Sequence, residues 1–370
     1  MKKIALVSSL KSTATANYFL KAFQDLGCLV FVISDVPHPL ANVVVSGAVD
    51  LPEILKKNHF QPDLALFIEG GTMQLFPQGL EKMSCMTAWY GIDTHMDYAK
   101  HLRIAHLFDV TFIAQQEYVA KLVADGIPQV FWLPLAFEPS LHPAGNLERI
   151  YDIGYVGSDN AQMHPVRHRI LKNLSNHFSK MWKGMTSPQE MGVIYAQSKL
   201  VFNKSVNNDL NMRYFEAMGA GAVLMTDPIQ NNGVEQLFDG GKHFLRYDSE
   251  SDALELAKTV LADPERLQQI GQQARDEVLA KHTYLHRVKT LLEILPNYRK
   301  LDKPSLENYF PVYMALGMSV DALAIVSKVL RSNPKGRREK LVNLTLAIAI
   351  DMILLPARLI TGLYQRLRSR

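Results

Sequence analysis

Short, unbroken apolar runs alternate with amphipathic stretches through most of the chain. Residues 4–7, 29–33, 64–68, 86–90, 110–114 and 129–133 read as strands. Between them, 15–26, the stretch from Tyr98 and 117–124 carry apolar residues at helical spacing. Apolar runs without polar alternation are buried on both faces, which in a strand–helix alternation points to a doubly wound parallel sheet. After a segment with two prolines and a glycine, 139–146, which predicts a linker, the pattern restarts. Strands are expected at 152–156, 200–202, 222–225 and 244–247. Helices are expected after Pro165 and over 188–197, 252–262, 264–281 and 284–295. Asp263-Pro264 is a helix start with proline at the first position. Two Rossmann-like domains, 1–145 and 146–296, follow from this pattern, with a place for a nucleotide in the cleft between them.

The stretch 199–227 concentrates the chemistry of the second half. A buried strand runs into a loop crowded with Asn203, Ser205, Asn207, Asn208, Asp209 and Asn211. A short helix then carries Arg213 and Glu216 one turn apart, and glycines 219 and 221 turn the chain into the next strand. At the carboxyl end of a parallel sheet, helix N-termini offer free N–H groups and a positive dipole, which suit a diphosphate. A carboxylate at 216 suits paired ribose hydroxyls, and Arg213 suits a phosphate; the plain alternative is a salt bridge between the two.

Composition narrows the class. At 370 residues, with 48% hydrophobic and 21% charged residues, the chain is globular and exceeds one ordinary core. Two cysteines, Cys28 and Cys85, exclude a disulfide scaffold and a zinc-cysteine site and suit a reducing compartment. The opening MKKIALVSSL reads as a first strand and not as a signal peptide. The loop after it, Ser8-Ser9-Leu10-Lys11, lacks G-x-G-x-x-G, which disfavours a dinucleotide-binding oxidoreductase.

The net charge of +4 is uneven. From 335 onward eight basic residues face Glu339 and Asp351 alone, giving the tail +6 and the body about −2. A basic tail on a near-neutral body argues for an anionic surface as the tail's partner, and no nucleic acid for the body. Within the tail, 297–370, residues 306–316 and 320–330 read as a helical hairpin and 331–340 as a basic connector. For the helix expected over 341–366, Asn343, Ala347, Asp351, Arg358, Thr361 and Gln365, with Lys340 just before it, fall in one narrow helical sector. That stripe suits a helix lying in a membrane interface; packing on the body or a second subunit are its alternatives. A spanning helix would bury Asp351 at a cost of about 2.5–3.5 kcal/mol or more.

Residues 151–158 (YDIGYVGS), 195–199 (YAQSK), 211–221 (NMRYFEAMGAG) and 281–287 (KHTYLHR) together resemble the GT-B glycosyltransferases, in particular the CgeB-like group with its group 1 C-terminal domain. The resemblance covers roughly 150–295, through an R-x-F-E-A-x-x-x-G core between two strands. It is looser at 89–93 (WYGID) and 109–112 (DVTF), and nothing of it reaches the tail. It implies a GT-B α/β fold, two Rossmann-like domains facing a cleft. The activity implied is transfer of a sugar from a nucleotide-sugar donor, itself a substrate, so no cofactor is expected. Glu216 would bind the donor ribose, Gly157 and Ser158 would approach the phosphates, and Arg213 or Arg167 would neutralise the leaving group. Asn203, Ser205, Asn211 and Gly221 complete the donor-side set. The absence of any D-x-D triplet disfavours a metal-clamped diphosphate.

Many retaining relatives carry a second Glu eight residues before the ribose-binding one; here Asn208 stands there. An inverting reaction needs a general base from the first domain, for which Asp93 and His95 are the first candidates and Glu69 the second. His164 and His168 would be donor-side or structural, and His243 and His282 structural. The expected protein is a cytoplasmic, metal-independent glycosyltransferase of a bacterial envelope or polysaccharide pathway. It would act on a saccharide or lipid-linked acceptor, with its tail on the inner face of the membrane. A catalytically silent membrane adaptor and a nucleotide-sugar epimerase are the alternative readings.

Overall fold

A computed structural model of the chain describes residues 1–45, 47–70, 75–141 and 147–302. In the first half, strands β1 (Lys3–Val7), β2 (Leu29–Ser34), β3 (Val43–Val44), β4 (Gly47–Asp50), β5 (Leu64–Ile68), β6 (Leu75–Gln78), β7 (Met86–Gly91), β8 (Val110–Ile113) and β9 (Val130–Trp132) are interleaved with helices α1 (Ala16–Asp25), α2 (Leu51–Lys57), α3 (Tyr98–Ala105) and α4 (Glu117–Ala124). In the second half, β10 (Tyr151–Val156), β11 (Met181–Gly184), β12 (Ser198–Phe202), β13 (Val223–Thr226) and β14 (Phe244–Arg246) are interleaved with α5 (Pro165–His177), α6 (Pro188–Ala196), α7 (Met212–Gly219), α8 (Val234–Leu237), α9 (Glu250–Leu261), α10 (Pro264–Lys281) and α11 (Tyr284–Ile294).

Each strand expected from an apolar run is present within two residues of its predicted ends. Seven form one parallel sheet in the order β3-β2-β1-β5-β7-β8-β9, and five form another in the order β11-β10-β12-β13-β14. A small parallel pair, β4 and β6, lies apart. The strand order reverses between β1 and β5 in the first sheet and between β10 and β12 in the second. Those are the two places where a crevice opens at the carboxyl ends.

Helix starts follow their caps: Asp97 accepts the Lys100 N–H before α3, Asn211 the Arg213 N–H before α7, and Ser187 with Glu190 forms a capping box before α6. The chain crosses between domains over residues 133–138, ahead of the predicted linker, of which Pro139–Leu141 is a single helical turn. This crossing is buried: Leu133, Leu135, Ala136 and Phe137 are at most 3% exposed. It is also crossed a second time. Phe137 pairs its backbone with His282 and Tyr284, and α11 packs its Tyr284 against Tyr18 and Phe19 of α1. One hydrophobic core therefore runs from α1 and the first sheet through Phe137 to α7, α10 and α11. The predicted tail hairpin and the helix over 341–366 lie outside the described residues. Among the described residues, no helix is long and apolar enough to cross a membrane.

Candidate active site

The second sheet's switch point is built around Arg213. Its half-buried side chain bonds to the Tyr195 hydroxyl (3.1 Å), the Asn203 side-chain oxygen (2.7 Å) and the Val156 carbonyl (2.7 Å), over the face of Tyr155. It thereby ties the ends of β10 and β12 together, and it forms no ion pair with Glu216. Gly157 follows directly: a Cβ there would stand 2.9 Å from both the Arg213 Nη2 and the Tyr155 hydroxyl. The next peptide, at Ser158, lends its carbonyl to the Tyr155 hydroxyl and to Arg167 of α5. Arg167 also donates to the Lys204 carbonyl at 2.9 Å, and its Nε is buried without a partner. His164, beside Arg167, is held below the usual histidine range by burial and by that guanidinium.

The polar loop after β12 is mostly self-supporting. Asn203 is buried and joins Thr226, Asn211 and Arg213. Ser205 donates its N–H (2.7 Å) and hydroxyl (2.6 Å) to Asp227, which also pairs with Lys204 at 2.7 Å. Asp227 thus anchors the loop from the end of β13; the sequence reading passed over it because its partners are 22 and 23 residues away in the chain. Gly221 does not belong to this set. It turns the chain at φ +76° into the start of β13, at the opposite end of the sheet, where its carbonyl accepts from Arg149. Its glycine serves that left-handed turn.

Glu216 stands apart from this network. It is 7% exposed, and no hydrogen bond from a described residue reaches its carboxylate. Burial pushes its pKa up to about 7, against the pull of Arg213. Tyr18, Tyr195 and Tyr284 surround it: burial raises each phenol, and the Glu216 charge adds to all three.

Across the cleft lies the loop after β7. Asp93 reaches solvent, yet the protein around it and the Glu69 carboxylate behind it push its carboxyl above the usual range. His95, His101 and Lys100 pull the other way. His95 is half-buried with its Nδ1 unpartnered. The loop after β12 meets this face directly. Asn207 approaches the His95 carbonyl (3.5 Å), Asn208 donates to Glu117 (3.2 Å), and Asp209 accepts from Gln115 (3.0 Å). Asn207 and Asn208 are left-handed, at φ +48° and +66°, a conformation asparagine tolerates. Asn208 is further pinned to both backbone groups of Gln230.

Asp209 is not singled out from its polar neighbours in the sequence. It is buried opposite Asp93 and His95, and burial raises its pKa to about 6 despite His95 and Gln115, with Asp93 and Glu117 adding to the rise. Nothing local distinguishes it from its polar neighbours; only the packing of the domains gives it these partners. Glu69, the second candidate base, has both carboxylate oxygens occupied inside the protein. His243 and His282 lie away from both switch points, with His282 Nδ1 against Arg287.

Two Rossmann-like domains whose carboxyl-end loops meet across a cleft define the GT-B fold. Similar solved structures share it. The sucrose-phosphate synthase of Thermosynechococcus elongatus has TM-score 0.56 at 12% identity, over 80% of this chain and 99% of that one. HepE of Anabaena, in a complex with UDP-glucose, has TM-score 0.57 at 12% identity, over 80% of this chain and 100% of that one. A glycosyltransferase of Rickettsia africae has TM-score 0.54 at 11% identity, over 83% and 99%. Residues 157–293, which hold Gly157, Arg213 and Glu216, match the family described as Glycosyl transferase-like. No curated protein matches the chain by sequence.

Proposed function

We propose that the protein is a hexosyl-type glycosyltransferase that moves a sugar from a nucleotide-sugar donor to a saccharide or lipid-linked hydroxyl. The observation that carries the reading is Glu216, a buried carboxylate with no protein hydrogen bond beside the switch point of the glycosyltransferase-like domain. Burying such a group costs stability unless a ligand supplies donors, and the two hydroxyls of a ribose do so. The diphosphate then lies along Gly157 and Ser158, where a side chain on residue 157 would collide, with Arg167 and Arg213 as the fixed positive charge beneath it.

In the reaction, the bond from the anomeric carbon to the diphosphate oxygen breaks, and its electron pair leaves with the nucleotide. The acceptor oxygen bonds to that carbon and gives its proton to Asp93 or, through it, to His95. The positive charge at Arg167 and Arg213 is stationary, so it favours the leaving group without reorganisation.

Titration calorimetry with UDP, GDP, dTDP and CMP tests the donor site. One nucleotide binds in the micromolar range, and Glu216→Ala weakens it at least about tenfold, from the loss of two charged hydrogen bonds. Absence of binding at millimolar concentration refutes the reading. Consumption of the nucleotide sugar to an isomer without acceptor assigns the cleft to an epimerase instead.

A further inference from the structure

Behind the Asp93 loop lies a buried polar cluster that the transfer reaction, as proposed, does not use. Glu69 closes β5 at the first sheet's switch point and is 5% exposed. Its Oε2 accepts two consecutive backbone N–H groups, from Ile92 (2.5 Å) and Asp93 (2.9 Å). Its Oε1 meets His101 Nε2 of α3 at 3.0 Å, and His101 Nδ1 meets the Thr94 hydroxyl at 2.9 Å. His101 is 2% exposed and Thr94 is fully buried, with the edge of Trp89 against the imidazole. The turn from β7 to α3 is therefore gripped at residues 92, 93 and 94 by one carboxylate–imidazole pair. The Asp97 cap on Lys100 holds the same turn at its helical end.

A buried carboxylate–imidazole pair is a poor stabiliser compared with packed apolar side chains, so its presence under a solvent-facing aspartate calls for another role. Fixing a base through a third group behind it is a recurrent arrangement in catalysis. The carboxylate is held in its charged form: burial opposes the charge, but His101 and the two N–H groups overcome it. That fixed negative charge sits directly behind Asp93.

We propose that Glu69 and His101 are positioning residues for the acceptor-side base, fixing the Ile92–Asp93 turn so that the Asp93 carboxylate faces the cleft with a constant negative charge behind it. The proposal rests on Asp93 serving as that base. The groups facing Asp93 are Glu69, His95, His101 and Lys100, with Asp209 across the cleft.

The test follows the carboxyl carbon of Asp93 by 13C NMR through a pH titration of the full chain, assigned by comparison with Asp93→Asn. In Glu69→Gln the negative charge is gone, so the Asp93 midpoint moves to lower pH than in the wild type. In His101→Gln the Glu69 charge loses its imidazole partner, so the midpoint moves to higher pH. These opposite shifts are not the signature of a merely structural pair. If Glu69→Gln does not fold, as read by its thermal melt, the upward shift in His101→Gln carries the test alone.

Unchanged midpoints in the folded variants overturn the proposal. UDP-glucose turnover is followed in parallel as a probe. Glu69→Gln loses on the order of a hundredfold in rate through misplacement of the base, while its nucleotide affinity stays at the wild-type value. If Asp93→Asn turns over at the wild-type rate, the assignment of the base fails, whereas the NMR shifts still report on the positioning.

Discussion

Glu216 illustrates how a buried carboxylate without a protein partner sets the pH response of the fold. Its pKa in the fold, about 7, lies above the ordinary 4.5, so the native state keeps a proton that the unfolded chain releases between those values. Its contribution to stability is complete below about pH 4.5 and is lost as pH rises through 7. Asp209, at about 6 against 3.8, acts in the same direction over a lower window. Glu216→Gln removes the first of these penalties. The variant should gain on the wild type by on the order of 2–3 kcal/mol between pH 4.5 and pH 8, read from urea unfolding at each pH. A constant difference across that range would mean that Glu216 is already paired. The position of this residue was legible from the R-x-F-E-A pattern. Its lack of a protein partner was not, because the alternative of an Arg213–Glu216 salt bridge has the same spacing. The structure decides it by giving Arg213 three other acceptors.

At the level of elements, legibility followed burial. Strands such as β5, LALFI, are buried at each position and stood out as apolar runs. The edge strand β11, MWKG, has no fully buried residue, and β3 is two residues long, so neither carries a pattern to read. The glycine after β10 is legible only in context. Gly157 sits where the strand end, Tyr155 and Arg213 converge, so an added methyl meets two polar groups at 2.9 Å. Gly157→Ala should move the Arg213 clamp. We expect nucleotide affinity to fall at least about tenfold, with a stability loss of roughly 1–3 kcal/mol, the usual cost of overpacking. Calorimetry and thermal unfolding on the same sample separate the two effects. Full retention of nucleotide affinity would place the phosphates elsewhere.

On the scale of the whole molecule, the two sheets were foreseeable from the restart of the pattern, whereas the way they are joined was not. The join depends on residues 133–138 lying under α11, a contact between segments some 150 positions apart. The basic tail, a sequence expectation outside the described residues, belongs to the same scale. We expect the full chain to sediment with vesicles containing anionic lipid at low salt and to be released as salt is raised, since such attraction is screened. Equal sedimentation with neutral vesicles would speak against it.

Arg287 is the centre of the join. It is 6% exposed and donates to the carbonyls of Pro134 and Leu135, with its guanidinium over Phe215 of the second domain. Since the crossing and both flanking helices share one core, the domains should unfold in a single transition. Arg287→Ala leaves the buried carbonyls unpaired, each at about 1–3 kcal/mol. Arg287→Lys also fails, because a single ammonium cannot reproduce the planar fork that reaches the successive carbonyls of Pro134 and Leu135. Both variants should melt lower than the wild type, and the loss should include the coupling between domains, seen as a broadened or split transition by calorimetry. A wild-type protein that melts in two well-separated steps would show that the shared core does not couple the domains, and Arg287 would then be a local cap on α11.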